Sequence, residues 1–324
     1  MSAHPRIAVS VIVCTRNRCA ALVNLLQALT QLTIEPELSW ELVVVNNGST
    51  DGTADLVGSF AERLPIIHVF EPEKGLATSR NTGVRAARGE ILAFTDDDCI
   101  PAPDWMSAIR KEFARDPGLA GLGGRVELHD PEDFPITIRT SRQREPLTSA
   151  YQLPALMAGC NMAFRRSTVD LVGEFDTTLG AGTVVGSAED TDYLYRALRR
   201  GLRIEYVPEV LLTHDHGRRS SDEVRRLKRS YARGRGALLV KYLLMADRAM
   251  ASCAYADVLW NGQECARALR ARTFPHEVLV RSWYMLVGAA RWVSLAHLPS
   301  PITVIDESPL LARGVLSAST AEPS

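Results

Sequence analysis

Three aspartates stand side by side at Asp96, Asp97 and Asp98, directly after the apolar run at 91–95. Adjacent like charges repel, and a bound cation is one way to keep them together. Hard divalent ions take oxygen ligands, and Mg²⁺ typically uses one or two protein carboxylates together with substrate phosphates. An acidic turn before the helix stop IPAPDW is the plainer account of the same residues. Their company favours the metal. Polar clusters follow three other apolar runs: CTRNR with Thr15, Asn17 and Arg18, then NNGSTDG with Asn46 and Asn47, then EPEKG at 71–75. The adjacent amides of Asn46 and Asn47 suit the hydrogen-bonding edge of a base, while Ser49 and Thr50 suit a helix cap.

Three more positions could do chemistry. Arg80 falls in the second turn of a helical stretch, where a guanidinium meets a phosphate or simply meets solvent. Glu189 and Asp190 open a helix after the glycine-rich LGAGTVVGSAED, as caps or as a general base carried by a mobile loop. His214 ends an apolar run, either as a structural histidine or as a further ligand to the same metal.

The elements that must position these residues alternate. Apolar runs at 8–13, 41–45, 66–70 and 91–95 are separated by helical patterns at 20–32, 53–63 and 76–87. That order predicts an α/β fold, a mostly parallel sheet with helices on both faces. Right-handed crossovers then bring the strand C-terminal ends to one edge, where open sheets bind ligands. A helix at 103–115 and a strand at 119–128 follow, then a polar, proline-bearing segment at 129–155. A strand and helix begin at 159–166, a helix runs over 189–200, and short strands at 202–207 and 210–213 lead to His214. The body is therefore residues 1–216, with acceptor-side loops at 129–155 and 176–188. A helical extension covers 217–300 and a frayed tail 301–324.

The net charge of -1 hides an asymmetry. Residues 1–215 carry 21 Lys+Arg against 29 Asp+Glu, and residues 216–324 carry 16 against 9. Nine Lys+Arg lie between 218 and 241, so the extension is expected to cap the core, make a homodimer contact or touch an anionic membrane surface. Few aromatics and no recognisable module argue against nucleic acid as a partner. The six cysteines form no CxxC pair and read as reduced, the start MSAHPRIAVSVIVCTRNR is unlike a signal peptide, and Arg281 and Arg291 interrupt the apolar run at 278–296. A cytoplasmic protein is expected, with the inner face of the plasma membrane as its one membrane contact.

Taken in order, SVIVCTRNR, VVVNNGSTDGT, GLATSRNTGVRAARGEILAFTDDDCIPAPDW, GCNMAFRR and AEDTDYLYRALRRG resemble the family 2 inverting glycosyltransferases with a GT-A (Rossmann-like) fold, over residues 7–216. The resemblance implies a divalent metal, Mg²⁺ or Mn²⁺, held by Asp98 with Asp96 assisting, and Asp97 near a ribose. It makes Asp190 the base with Glu189 beside it. His214 becomes a metal ligand, being 24 residues beyond Asp190 and six beyond Pro208. Thr15 and Asn47 would meet the nucleotide base, with Asn17, Arg18, Asn46 and Arg80 on the same donor side. The family commonly has Asp-Asp where Asn46 and Asn47 stand here, which bears on which base is read. The implied donor is a nucleoside-diphosphate sugar, UDP-sugar favoured. The implied acceptor is a hydroxyl, lipid-linked or on a saccharide, in polysaccharide, glycolipid or secondary-metabolite glycosylation. Two alternatives stand beside it: an inactive sugar-nucleotide-binding subunit, and a sugar nucleotidyltransferase. The latter is expected to carry a glycine-rich phosphate loop near the N-terminus, where CTRNRCAAL has no glycine.

Overall fold

Val9, Val11 and Val13 turn to one side of strand β1 (Val9–Thr15) and Ile12 to the other, so each face of the strand enters a different core. The computed structural model describes residues 7–153 and 157–295; the tail expected at 301–324 lies outside the described residues. Strands β2 (Trp40–Asn46), β3 (Ile66–Phe70) and β4 (Ile91–Asp96) run parallel to β1 in the order β3-β2-β1-β4. Helices α1 (Cys19–Leu29), α2 (Thr53–Ser59) and α4 (Trp105–Arg115) cover one face through Leu22, Leu25, Val57, Trp105 and Ile109. Helices α3 (Leu76–Ala86), α5 (Arg166–Val172) and α6 (Glu189–Arg199) cover the other through Ala77, Val169, Tyr193 and Ala197. The α/β architecture with both faces covered is the one expected.

Beyond β4 the sheet becomes mixed. Strand β8 (Asn161–Arg165) pairs antiparallel with both β4 and β6 (Gly121–Leu128), and β6 pairs parallel with β9 (Ile204–His214). The short edge strands β5 (Cys99–Pro101) and β7 (Glu145–Pro146) lie antiparallel on β9. The two runs expected at 202–207 and 210–213 are one strand. Its register against β6 jumps from Gly124↔Val207 to Arg125↔Leu211, so Pro208 falls in the irregularity, where its missing N–H breaks no ladder bond.

The basic extension is built into the body. Helix α7 (Ser221–Leu244), started by a Ser220–Glu223 capping box, sends Leu238, Leu239 and Tyr242 into the core shared by α3 and α6. It packs antiparallel against α9 (His276–Leu295) with backbones touching: a Cβ on Gly236 or Gly288 would collide with the main chain of Met285 or Arg233. Helix α8 (Arg248–Arg270) joins them, and its outer side with that of α9 exposes Tyr255, Val258, Trp283 and Leu286. Among the described residues, no helix is long and apolar enough to cross a membrane.

One charged cluster locks α7 down. Lys241 donates to Asp176 at 2.7 Å and to Asp192 at 2.5 Å, while Tyr242 and Arg196 also donate to Asp192, each at 2.8 Å. Burial alone would raise the Asp192 carboxyl, but Lys241 and Arg196 outweigh it and hold it below its ordinary value. Stabilisation from a depressed carboxyl is complete above the unfolded-state pKa and is lost as pH falls through the folded one. Lys241→Met strips a buried carboxylate of its main counter-charge, so a loss of ~3 kcal/mol is expected in urea unfolding at neutral pH. The variant should also lose less stability than the wild type as acid is added, because without Lys241 the folded-state pKa of Asp192 moves up toward its unfolded value. Equal midpoints at pH 7 would show that Arg196 and Tyr242 suffice.

Candidate functional site

Parallel register brings the polar strand ends together. Thr15 lies opposite Asn46 and Cys14 opposite Asp96, so β1, β2 and β4 finish at one edge. His214 arrives there by a different route. Strand β5 follows the aspartates and pairs antiparallel with β9, which sets Cys99 against His214 and draws the Asp215 N–H onto the Asp98 carbonyl at 2.8 Å. The result is a cleft of about 1320 Å³ lined by Thr15, Arg18, Asn47, Arg80, Asp96, Asp97, Asp98, Glu189, Asp190 and His214. Of the sequence candidates, Asn17 and Asn46 are not on its wall. Both support the rim: Asn17 Oδ1 accepts from the Thr50 N–H, and Asn46 Oδ1 from the Ser49 N–H. Asn47 lines the cleft, but its amide is already engaged. It donates to the carbonyls of Glu71 and Glu73 and accepts from the Gly75 N–H, pinning the 71–75 loop.

The aspartates differ sharply. Asp98 Oδ1 lies 3.2 Å from His214 Nε2 and Oδ2 lies 2.7 Å from Arg18. Burial works against the Asp98 anion, yet His214 and Arg18 hold it well below the usual carboxylate range. Burial likewise opposes charge on His214, and the Asp98 hydrogen bond overrides it, raising the imidazole to about 9. Asp97 accepts from the Thr15 hydroxyl at 2.7 Å and pairs with Arg18 at 3.1 Å. Burial pushes it up to about 7, with Arg18 and Thr15 holding it back and Asp98 and Asp96 adding to the rise. Asp96 is raised by burial, partly offset by Arg80. This crowding of buried negative charge is what a cation would relieve.

Arg80 bridges the two halves of the site. Its buried guanidinium donates to Glu189 at 2.8 Å and to the Gly159 carbonyl at 3.2 Å, and reaches Asp96 at 3.5 Å. Glu189 is lifted to about 7 by burial and by the Asp190 charge, against the pull of Arg80. Asp190 accepts the Thr191 N–H on Oδ1. Its Oδ2 faces Gly159 so closely that a Cβ there would come within 2.4 Å. Ala188, just before the pair, is held at φ 86, an unfavourable conformation for alanine that turns both carboxylates toward the cleft.

The loop before them is tied to the C-terminal helices. Arg233 and Arg291 donate to the carbonyls of Val185 and Val184, Ser187 donates to that of Ser230, and Trp292 donates to the Thr178 hydroxyl. These ties come from α7 and α9, whose registers no local pattern discloses.

Two positions that shape the candidate site escaped sequence reasoning. Gly159 gives Asp190 and Arg80 the space they share. Thr137, at φ 57, is a strained β-branched residue. Its hydroxyl and carbonyl lie 3.0 and 3.3 Å from His214 Nδ1. That hydroxyl donates to the Ile136 carbonyl at 2.6 Å, so both Thr137 oxygens accept from Nδ1–H, and Nε2 is aimed at Asp98 with a second proton to donate. Gly159 opens GCNMAFRR, where nothing marks it apart from its neighbours, and a lone loop threonine is ordinary.

Three neighbouring side chains could together hold a metal ion. Ligand atoms of Asp98, Cys99 and His214 lie within 4.8 Å of one another, all buried.

Comparison with known proteins fits this geometry. The model of glycosyl transferase family 2 matches residues 10–172, half of the chain. Among curated relatives, the chain is 28% identical over 258 residues to the glycosyltransferase AglE of Haloferax volcanii, covering 78% of this chain and 79% of that one. It is 28% identical over 243 residues to the pre-mycofactocin glycosyltransferase of Mycobacterium tuberculosis, covering 72% of this chain and 48% of the other. Among solved structures, the mannosyltransferase PcManGT of Pyrobaculum calidifontis, in complex with GDP-Man and Mn²⁺, aligns with a TM-score of 0.61 at 22% identity, over 90% of this chain and 88% of that one. S. aureus TarS aligns at 0.56 and 17% identity, over 72% of this chain and 65% of that one. A GT-A sheet whose strand ends, loop and helix start converge on one acidic cleft, matched by a family model over half its length, makes this chain a glycosyltransferase of family 2.

Proposed function

We propose that the protein is an inverting, metal-dependent transferase that moves a sugar from a nucleoside-diphosphate donor, UDP-sugar favoured, to an acceptor hydroxyl. The observation that carries this reading is the Asp98–His214 pair at 3.2 Å in the same cleft as Asp190. Carboxylate oxygen and imidazole nitrogen suit Mn²⁺ or Mg²⁺, and Asp98 and His214, with Asp96 adjacent, would hold the ion. When bound, it would supply charge stabilisation for the departing diphosphate. Among the chain's own groups, Arg18 and Thr15 fix Asp97 for a ribose hydroxyl, and Arg80 keeps Glu189 and Asp96 apart and oriented. Asp190 Oδ2, which accepts no hydrogen bond among the described residues, takes the acceptor proton. Attack from the side opposite the leaving group inverts the anomeric centre. The PcManGT complex with GDP-Man and Mn²⁺, and the TarS complexes with UDP and with UDP-GlcNAc, support this class of donor.

The test is release of nucleoside diphosphate from a panel of UDP- and GDP-sugars with Mn²⁺ or Mg²⁺. Turnover with one donor, abolished by EDTA and restored by metal, is expected, with an inverted anomeric proton coupling in the product. Donor binding without turnover across the panel would instead make the chain an inactive sugar-nucleotide-binding subunit.

A further inference from the structure

Another wall of the cleft comes from the 218–244 segment, α8 and α9 and is rich in cations, with Asp257 and Glu277 as its carboxylates. Arg218, Lys228, Arg229 and Arg235 line it, with Tyr231 and Tyr284 between them. Some neighbouring arginines are matched to carboxylates. Arg225 pairs with Asp222, and Arg219 with Asp130, Glu132 and Asp133. The wall is different. Among the described residues, Lys228 and Arg229 have no carboxylate partner, and Arg229 rests 5.4 Å above the Tyr284 ring. Arg235 gives its Nε to Asp257 at 2.8 Å, but its Nη1 is enclosed with no hydrogen-bond partner, and so is Arg218 Nη1. Two enclosed guanidinium nitrogens without acceptors, beside two cations outside any ion pair, concentrate donors and positive charge on this wall.

A nucleoside diphosphate does not account for all of this. Under the transfer reading its charge is met at the strand edge, by Asp98, His214 and their ion. Burial, and after it the Asp190 charge, raises the Tyr231 phenol, so the α7 wall faces Asp190 across the cleft both line. It is thus the side from which an acceptor approaches. Trp260 and Val280 add apolar surface to this part of the lining, among Asp257, Asn261, Glu277 and Arg281.

We propose that the acceptor itself carries a phosphoryl or pyrophosphoryl group, gripped by Arg218, Lys228, Arg229 and Arg235 while its hydroxyl is presented to Asp190. This rests on the transfer reading for the identity of the acceptor, and on the cleft alone for the anion site. The group could belong to an isoprenoid phosphate or to a soluble phosphorylated saccharide. Phosphate recognition is common to both.

Calorimetry on the full chain separates the cases, using geranyl phosphate, geraniol and glucose 1-phosphate as probes. Lys228→Gln with Arg229→Gln is the informative variant: Lys228 is exposed and Arg229 half-buried, so folding is preserved, which circular dichroism checks. At least one phosphate should bind while geraniol does not, and the double variant should bind it at least ~10-fold more weakly. Geranyl phosphate alone identifies a lipid source; comparable glucose 1-phosphate binding identifies a saccharide. Equal binding of geraniol, no binding of either phosphate, or an unchanged double variant would overturn the proposal. So would competition between the phosphate probe and UDP, which would return the wall to the donor. Donor turnover is measured separately. A wild type that binds phosphate but never cleaves a donor refutes the transfer reading and leaves the anion site standing.

Discussion

Asp190→Asn is expected to lose about 10²–10⁴-fold in kcat while the donor still binds with wild-type affinity. The substitution keeps size and keeps an oxygen for the Thr191 N–H, so the α6 start is undisturbed. It removes only the basic oxygen beside Gly159. Glu189 cannot stand in, because its carboxylate is buried against Arg80 at 2.8 Å and lifted to about 7 by burial and the Asp190 charge. With Asp190 made neutral that second cause disappears, so Glu189 falls toward its ordinary value and binds Arg80 more firmly. Donor affinity by calorimetry and single-turnover transfer together give the answer. Transfer within threefold of wild type would take Asp190 out of the chemistry.

How far the sequence discloses this site follows from the range of the forces involved. Strands β1 to β4 and the helices between them are set by local apolar pattern, and their polar ends meet because parallel register aligns Thr15 with Asn46 and Cys14 with Asp96. The position of His214 depends instead on β5, three residues ending in Pro101, too short for any periodicity to announce. Strand β8 reads like the earlier apolar runs, yet it runs antiparallel, since a run buried on both faces carries no directional mark. The basic stretch at 218–241 looks like one solvated face, but tertiary packing divides it. Lys241 goes inward to Asp192, Arg233 to the loop at Val185, and Arg218 and Arg235 to the cleft. Asn47 is the instructive case among the polar candidates: a strand-end amide suited to a nucleotide is also suited to the three backbone groups of the 71–75 loop that it in fact holds.

Asp98 is where the second large loss is expected, and its signature differs from that of Asp190. Asp98→Asn keeps the side-chain volume but removes the charge that His214 and Arg18 both oppose. Transfer should fall by at least ~10³-fold, the scale of losing preorganised charge stabilisation in a water-poor site. Donor binding should weaken as well, because the same carboxylate is assigned to the ion that meets the diphosphate. His214→Gln is milder, since Asp98 remains. Its expected mark is a higher Mn²⁺ requirement, with half-saturation raised at least ~10-fold and kcat partly restored by excess metal. In the double variant the losses should fall well short of adding, as residues serving one ion act as a unit. Titrations of kcat against Mn²⁺ for the wild type, both single variants and the double variant decide the matter. An Asp98→Asn enzyme with wild-type metal dependence would separate the acidic strand end from the ion and leave Asp98 as a counter-charge to Arg18 and His214 alone.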